Sequence, residues 1–152
     1  MYQLVADLSP ERFTALYRAL PDEMRRALDA PVSRVLNARP AFVHRQPEAI
    51  KIKALRAYLA REKDETLSAE ILRAYLLGPR KALVIAFLDA TGVKHEDGQV
   101  GEDANPEPAK VPEAVKALLA ANEREDVRLY LRVAALQWPE NKAVAAALAE
   151  LG

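Results

Sequence analysis

The sequence predicts an all-α fold, a compact single-domain bundle of about eight or nine short helices, and three observations carry that expectation. Alanine and leucine dominate the chain. Apolar positions recur at intervals of three and four rather than two, the period of a helix with one buried face. Glycines are few and β-branched residues form no runs, so nothing favours strands.

The first helix start is "LSPERF". Ser9 caps, Pro10 occupies the first helical position, where its missing N–H costs nothing, and Leu8 is placed to staple against Phe13. This helix continues through Leu16, Tyr17 and Leu20 to Pro21. Short helical pieces follow in "DEMRRALDA" and "VSRVLNA", punctuated by Pro21, Pro31 and Pro40, each of which stops or opens a helix. From Pro47, "PEAIKIKALRAYLAREK" makes a longer helix with Ile52, Leu55 and Leu59 on one face. "LSAEILRAYLL" supplies a second stripe, Leu67, Ile71, Leu72, Tyr75 and Leu76. Gly78 is expected to end that helix in a left-handed conformation, with Pro79 opening the next.

Residues 79 to 91, "PRKALVIAFLDAT", are apolar on all sides from Ala82 to Leu88 and predict the central, most buried helix. Gly92 stops it. Residues 95 to 111 then hold five acids, two glycines and two prolines without helical period, the pattern of a mobile acidic loop. Helices resume in "PEAVKALLAANE", "EDVRLYLRVAALQW" and "PENKAVAAALAEL". The expected organisation is one domain over 1–152: a larger N-terminal helical part (1–94), the loop at about 95–111, and a C-terminal group of helices (112–152).

"LRAYLA" at Leu55 to Ala60 returns as "LRAYLL" at Leu72 to Leu77, and "AALQWPENKAVAAALAEL" resembles the junction between two helix-pair repeats of the tetratricopeptide kind. The proline arrives one residue early there, and no other junction shows the pattern. The resemblance implies helix-pair, solenoid-like packing and a groove that binds a peptide. An irregular orthogonal bundle is the first expectation and the solenoid the second.

At 152 residues the chain is long enough to bury a stable core, and 51% hydrophobic against 29% charged residues argues against disorder throughout. It contains no cysteine, which excludes disulfides, thiolate metal sites and cysteine nucleophiles. The start "MYQLVADLSPERF" has no basic region followed by an apolar run, and the longest apolar run, Ala82 to Leu88, is far short of the ~20 residues a spanning helix needs. The expectation is a cytoplasmic protein without a membrane partner. A formal net charge of zero removes the counterion-release argument for nucleic acid. The charge is uneven, however: residues 1 to 94 carry 16 Lys and Arg against 11 Asp and Glu, while residues 95 to 152 carry 6 against 11. Each half is suited to a partner of opposite sign, or to the other half.

The candidate ligand-binding residues are Asp89, His95, Glu96 and Asp97. Asp89 lies in the last turn of its helix, where the dipole disfavours a carboxylate. Lys94 or His95, folding back, would pair with it, and Glu96 and Asp97 would complete a carboxylate and imidazole cluster. The spacing matches neither an EF-hand loop nor the two histidines of a zincin helix, so no metal or other cofactor is expected. No catalytic residue is assigned. Ser9 and Ser68 stand where helix-start serines stand, Ser33 has no glycine-rich elbow, and no phosphate-binding glycine loop exists. His44, after Phe42 and Val43, is expected to be a partly buried structural histidine. Lys53, Arg56 and Lys63 form a basic face suited to an acidic partner, or to the acidic loop itself as a salt-sensitive latch. A non-catalytic protein-interaction or structural module, with a protein or peptide as partner, is the leading expectation. An enzyme or small-ligand binder around Asp89 and His95 is the alternative.

Overall fold

In the computed structural model, which describes all 152 residues, the chain forms eleven α-helices, one 3-10 turn and a single pair of two-residue strands. The fold is all-α, as the periodicity requires. The chain divides between Pro79 and Arg80 into two compact units, a boundary that falls ahead of the charge change at residue 95.

The first unit holds α1 (Tyr2–Ala6), α2 (Pro10–Ala19), α3 (Asp22–Ala27), α4 (Asp29–Leu36), α5 (Pro40–His44), α6 (Glu48–Glu62) and α7 (Glu65–Leu77). The start signal of α2 acts as written: Ser9 Oγ accepts from the Arg12 N–H at 3.1 Å with Pro10 in the first turn. The cap of α7 is one not anticipated from the sequence, Asp64 Oδ1, which accepts the Leu67 N–H at 2.9 Å. Ser68 does not cap; it lies a turn inside α7, completely buried. Pro31 sits in the first turn of α4, where the missing N–H is unused. Helix α4 packs on α5 and α6, while α1 packs on both α6 and α7.

The two "LRAYL" segments bury equivalent residues, Leu55, Tyr58 and Leu59 in α6 and Leu72, Tyr75 and Leu76 in α7. Their principal neighbours are nevertheless α4 and α1, which is bundle packing rather than a repeated helix pair. Two non-glycine residues end helices in the left-handed region, Asn37 after α4 and Lys63 after α6. Gly78 differs from expectation. Its φ is −100°, and what requires glycine is the Ala74 carbonyl oxygen, 2.6 Å from where a Cβ would stand.

The second unit holds α8 (Lys81–Ala90), β1 (His95–Glu96), β2 (Gln99–Val100), a 3-10 turn (Pro108–Lys110), α9 (Val111–Ala121), α10 (Arg124–Gln137) and α11 (Lys142–Leu151). Helix α9 packs on α8, α10 and α11. Helix α8 was expected to be buried all round; it buries Leu83, Val84, Phe87 and Leu88 and exposes Ala82, Ala86, Asp89 and Ala90. Its alanines are apolar in composition but too small to need covering, so the helix is amphipathic by size. Phe87 meets the edge of Tyr130 (centroids 5.2 Å, 75°) and stacks on Trp138 (6.5 Å, 24°), and this aromatic group anchors the unit's core. Burial pushes the Tyr130 hydroxyl far above the ordinary phenol range. Asp126, in the first turn of α10 and 2% exposed, accepts from Arg80 Nε at 2.5 Å, a buried charge held by its partner. No helix of either unit is long and apolar enough to cross a membrane.

Candidate functional site

His95 does fold back on Asp89. Its Nε2 lies 3.0 Å from Asp89 Oδ1, and its Nδ1 accepts the Gly98 N–H at 3.2 Å. An Nδ1 that accepts leaves the proton on Nε2, so the neutral ring donates to Asp89 and both nitrogens are engaged. The backbone between them is a β-hairpin: His95 pairs with Val100 and Glu96 with Gln99. Asp97 (φ 57°) and Gly98 (φ 88°) form its two-residue loop with both φ positive, the type I′ geometry that Asp-Gly favours. The four candidate ligand residues therefore do different things. Asp89 and His95 pair, Asp97 forms an ion pair with Lys81 at the other end of α8, and Glu96 is exposed. The Asp89–His95 and Lys81–Asp97 pairs strap the hairpin along α8.

The rest of the acidic segment is also tied down, which corrects the expectation of a mobile linker. Trp138 Nε1–H donates to the Ala104 carbonyl at 2.6 Å, and the Glu107 N–H donates to the Thr91 carbonyl at 3.0 Å. Asn141 Nδ2 donates to Asn105 Oδ1 at 2.8 Å and to the Pro106 carbonyl at 2.9 Å, while its Oδ1 caps α11 through the Val144 N–H. Four positions of an irregular segment are thereby held by the ends of helices. Local periodicity carries no trace of such anchoring, because the partners lie 16 to 36 residues away. "DG" was the readable signal for the hairpin.

The three basic candidates also separate. Arg56 Nη2 donates to the Leu8 carbonyl at 3.2 Å, and its guanidinium stands 5.7 Å over the Phe13 ring, so it serves the packing of the first unit. Lys63 is the left-handed stop of α6. Lys53 projects beside a groove of about 350 Å³ between α2 and α6, walled by Pro10, Thr14, Ala49 and Ile52 and edged by Arg18, Lys53 and Arg56. Arg18 is held at its edge by Glu48, 2.6 Å away. Two of the three residues thus border one groove, and Lys63 does not.

A polar cluster around Asp29 was not anticipated. Asp29, 7% exposed, meets His44 Nδ1 at 3.3 Å and Lys51 Nζ at 3.4 Å. These residues border a cavity of about 290 Å³ whose wall includes Tyr17, Arg25, Arg26 and Glu48. His44 is exposed at this rim rather than partly buried; Val43 takes the core position and Phe42 is 57% exposed. No protein-family model, curated protein or solved structure matches this chain. Its function rests on what its own side chains present.

Proposed function

We propose that this chain is a non-catalytic interaction module that docks an acidic, partly apolar segment of another protein in the groove between α2 and α6. The groove itself is the observation that supports the reading. Its walls are Pro10, Thr14, Ala49 and Ile52, so an apolar side chain entering it is removed from water, and all three charged residues at its edge are cations. Lys53 is exposed and has no acidic partner within the chain, so its charge is available to a carboxylate. An amphipathic helix with Leu at intervals of three and four and Glu beside that face matches this chemistry, and a basic one does not.

Fluorescence anisotropy with two labelled helical peptides, one leucine- and glutamate-rich and one leucine- and lysine-rich, tests it. The acidic peptide is expected to bind saturably and more weakly as salt rises, and Lys53→Glu to weaken it about tenfold, the effect of reversing one edge charge. Equal binding of both peptides, or indifference to Lys53→Glu, would sink the reading.

A further inference from the structure

We propose that the cavity bordered by α2, α3, α4 and α6 is a separate site for a small molecule carrying an oxyanion head group, a phosphate or a carboxylate. At about 290 Å³ it is far larger than the ~30 Å³ share of one water and close to the lower limit for small-ligand pockets.

What decides its chemistry is which polar groups remain after the protein's own pairings are made. Asp22 takes Arg25 Nη2, Asp29 takes Lys51 and His44, and Glu48 takes Arg18. The groups left over are donors. Tyr17 is 4% exposed and lines the cavity, yet its hydroxyl has no hydrogen-bond partner in the protein. The ring is buried while the hydroxyl opens onto the cavity, where a bound group can reach it. The Arg26 guanidinium has no acid of its own, and Arg25 lines the same space with its Nη2 held by Asp22.

A phenol O–H and two guanidinium groups bordering one space form a donor set, and guanidinium geometry matches phosphate and carboxylate oxygens. Burial first, then the charges of Asp29 and Glu48, raise the Tyr17 hydroxyl above its ordinary pKa, against a smaller opposing effect of Arg25. It therefore remains a proton donor across the neutral range. On the remaining wall Glu48, paired with Arg18 through Oε1, keeps its second carboxylate oxygen for a hydroxyl or ammonium group on the body of the same ligand.

Calorimetric titration of the full chain with inorganic phosphate, and separately with malonate, tests the site. Saturable binding of at least one is expected, and the tighter of the two identifies the head group. Tyr17→Phe and Arg26→Ala should each weaken it roughly tenfold, the effect of one hydrogen bond to a charged group, while Lys53→Ala in the groove leaves it unchanged. Tyr17→Phe keeps the buried ring and Arg26 is exposed in the last turn of α3, so both variants retain the wild-type far-ultraviolet dichroism and a cooperative thermal transition. Absence of saturable binding to either anion, or binding that survives both substitutions, overturns the proposal. The unaffected Lys53→Ala control keeps this outcome distinct from the fate of the peptide groove.

Discussion

Ser68 is completely buried in α7 and its hydroxyl has no hydrogen-bond partner. A buried polar group without a partner costs stability, so Ser68→Ala is expected to be neutral or to stabilise by up to about 1 kcal/mol in urea denaturation. A clear loss would mean the hydroxyl is satisfied. His95 is the opposite case, because its side chain is 13% exposed and both ring nitrogens are bonded. His95→Ala should cost about 1 kcal/mol, lowering Tm by ~2–4 °C for a chain of this size, and an unchanged melting curve would show that the hairpin stays closed without it. The sequence placed Asp89 in an unfavourable dipole position and offered Lys94 or His95 as its partner, and it is His95 that pairs. It could not assign Asp97 to Lys81, because which residue of a turn faces a helix is set by the turn's backbone and not by its charge. Glu65 has its pKa lowered first by the Tyr2 N–H and then by the terminal amine. A lowered folded pKa contributes stability above the unfolded carboxylate pKa, and that contribution is lost as pH falls through the folded value.

At the level of elements, caps and prolines were the most readable features, since they act within four residues of the helix they start. Ser9 and Pro10 open α2 as written. Helix α1 gave no such signal: its N-cap is Met1, with no side-chain hydrogen bond, and it forms because Leu4 and Val5 are buried against neighbouring helices. Asn141 joins two elements. It caps α11 and also holds Asn105 and Pro106, and it is 4% exposed. Asn141→Ala is therefore expected to cost about 2–3 kcal/mol, more than the ~1 kcal/mol of an ordinary lost cap, because two acceptors of the acidic segment are orphaned as well. Hydrogen exchange should show protection lost at residues 104 to 107 together with the start of α11. A loss confined to α11 would mean that the segment is held by other contacts.

For the whole molecule, the division between Pro79 and Arg80 makes a specific claim about folding. The second unit has its own core of Leu83, Phe87, Leu88, Val111, Val127, Leu131 and Val144. A fragment of residues 80 to 152 should show helical dichroism and a cooperative thermal transition, although chains of this length are only marginally stable. A broad, non-cooperative melt would show that the core does not suffice by itself. The sequence marks the acidic segment instead, within one expected domain, because composition changes there. Packing does not follow composition: the acidic segment is stitched to the ends of α8, α10 and α11 by hydrogen bonds with Thr91, Trp138 and Asn141.

The all-α class, the helix starts and the buried stripes were determined by the sequence itself, because helical periodicity, capping and proline chemistry act over a few neighbouring residues. Tertiary structure alone decided that α8 exposes its alanines, that the acidic segment is anchored, and that Asp29, His44, Lys51 and Tyr17 surround one cavity. Those four residues come from separate helices, and a cavity exists only where helices are brought together by the burial of other side chains. Its polar lining therefore has no local pattern in the chain.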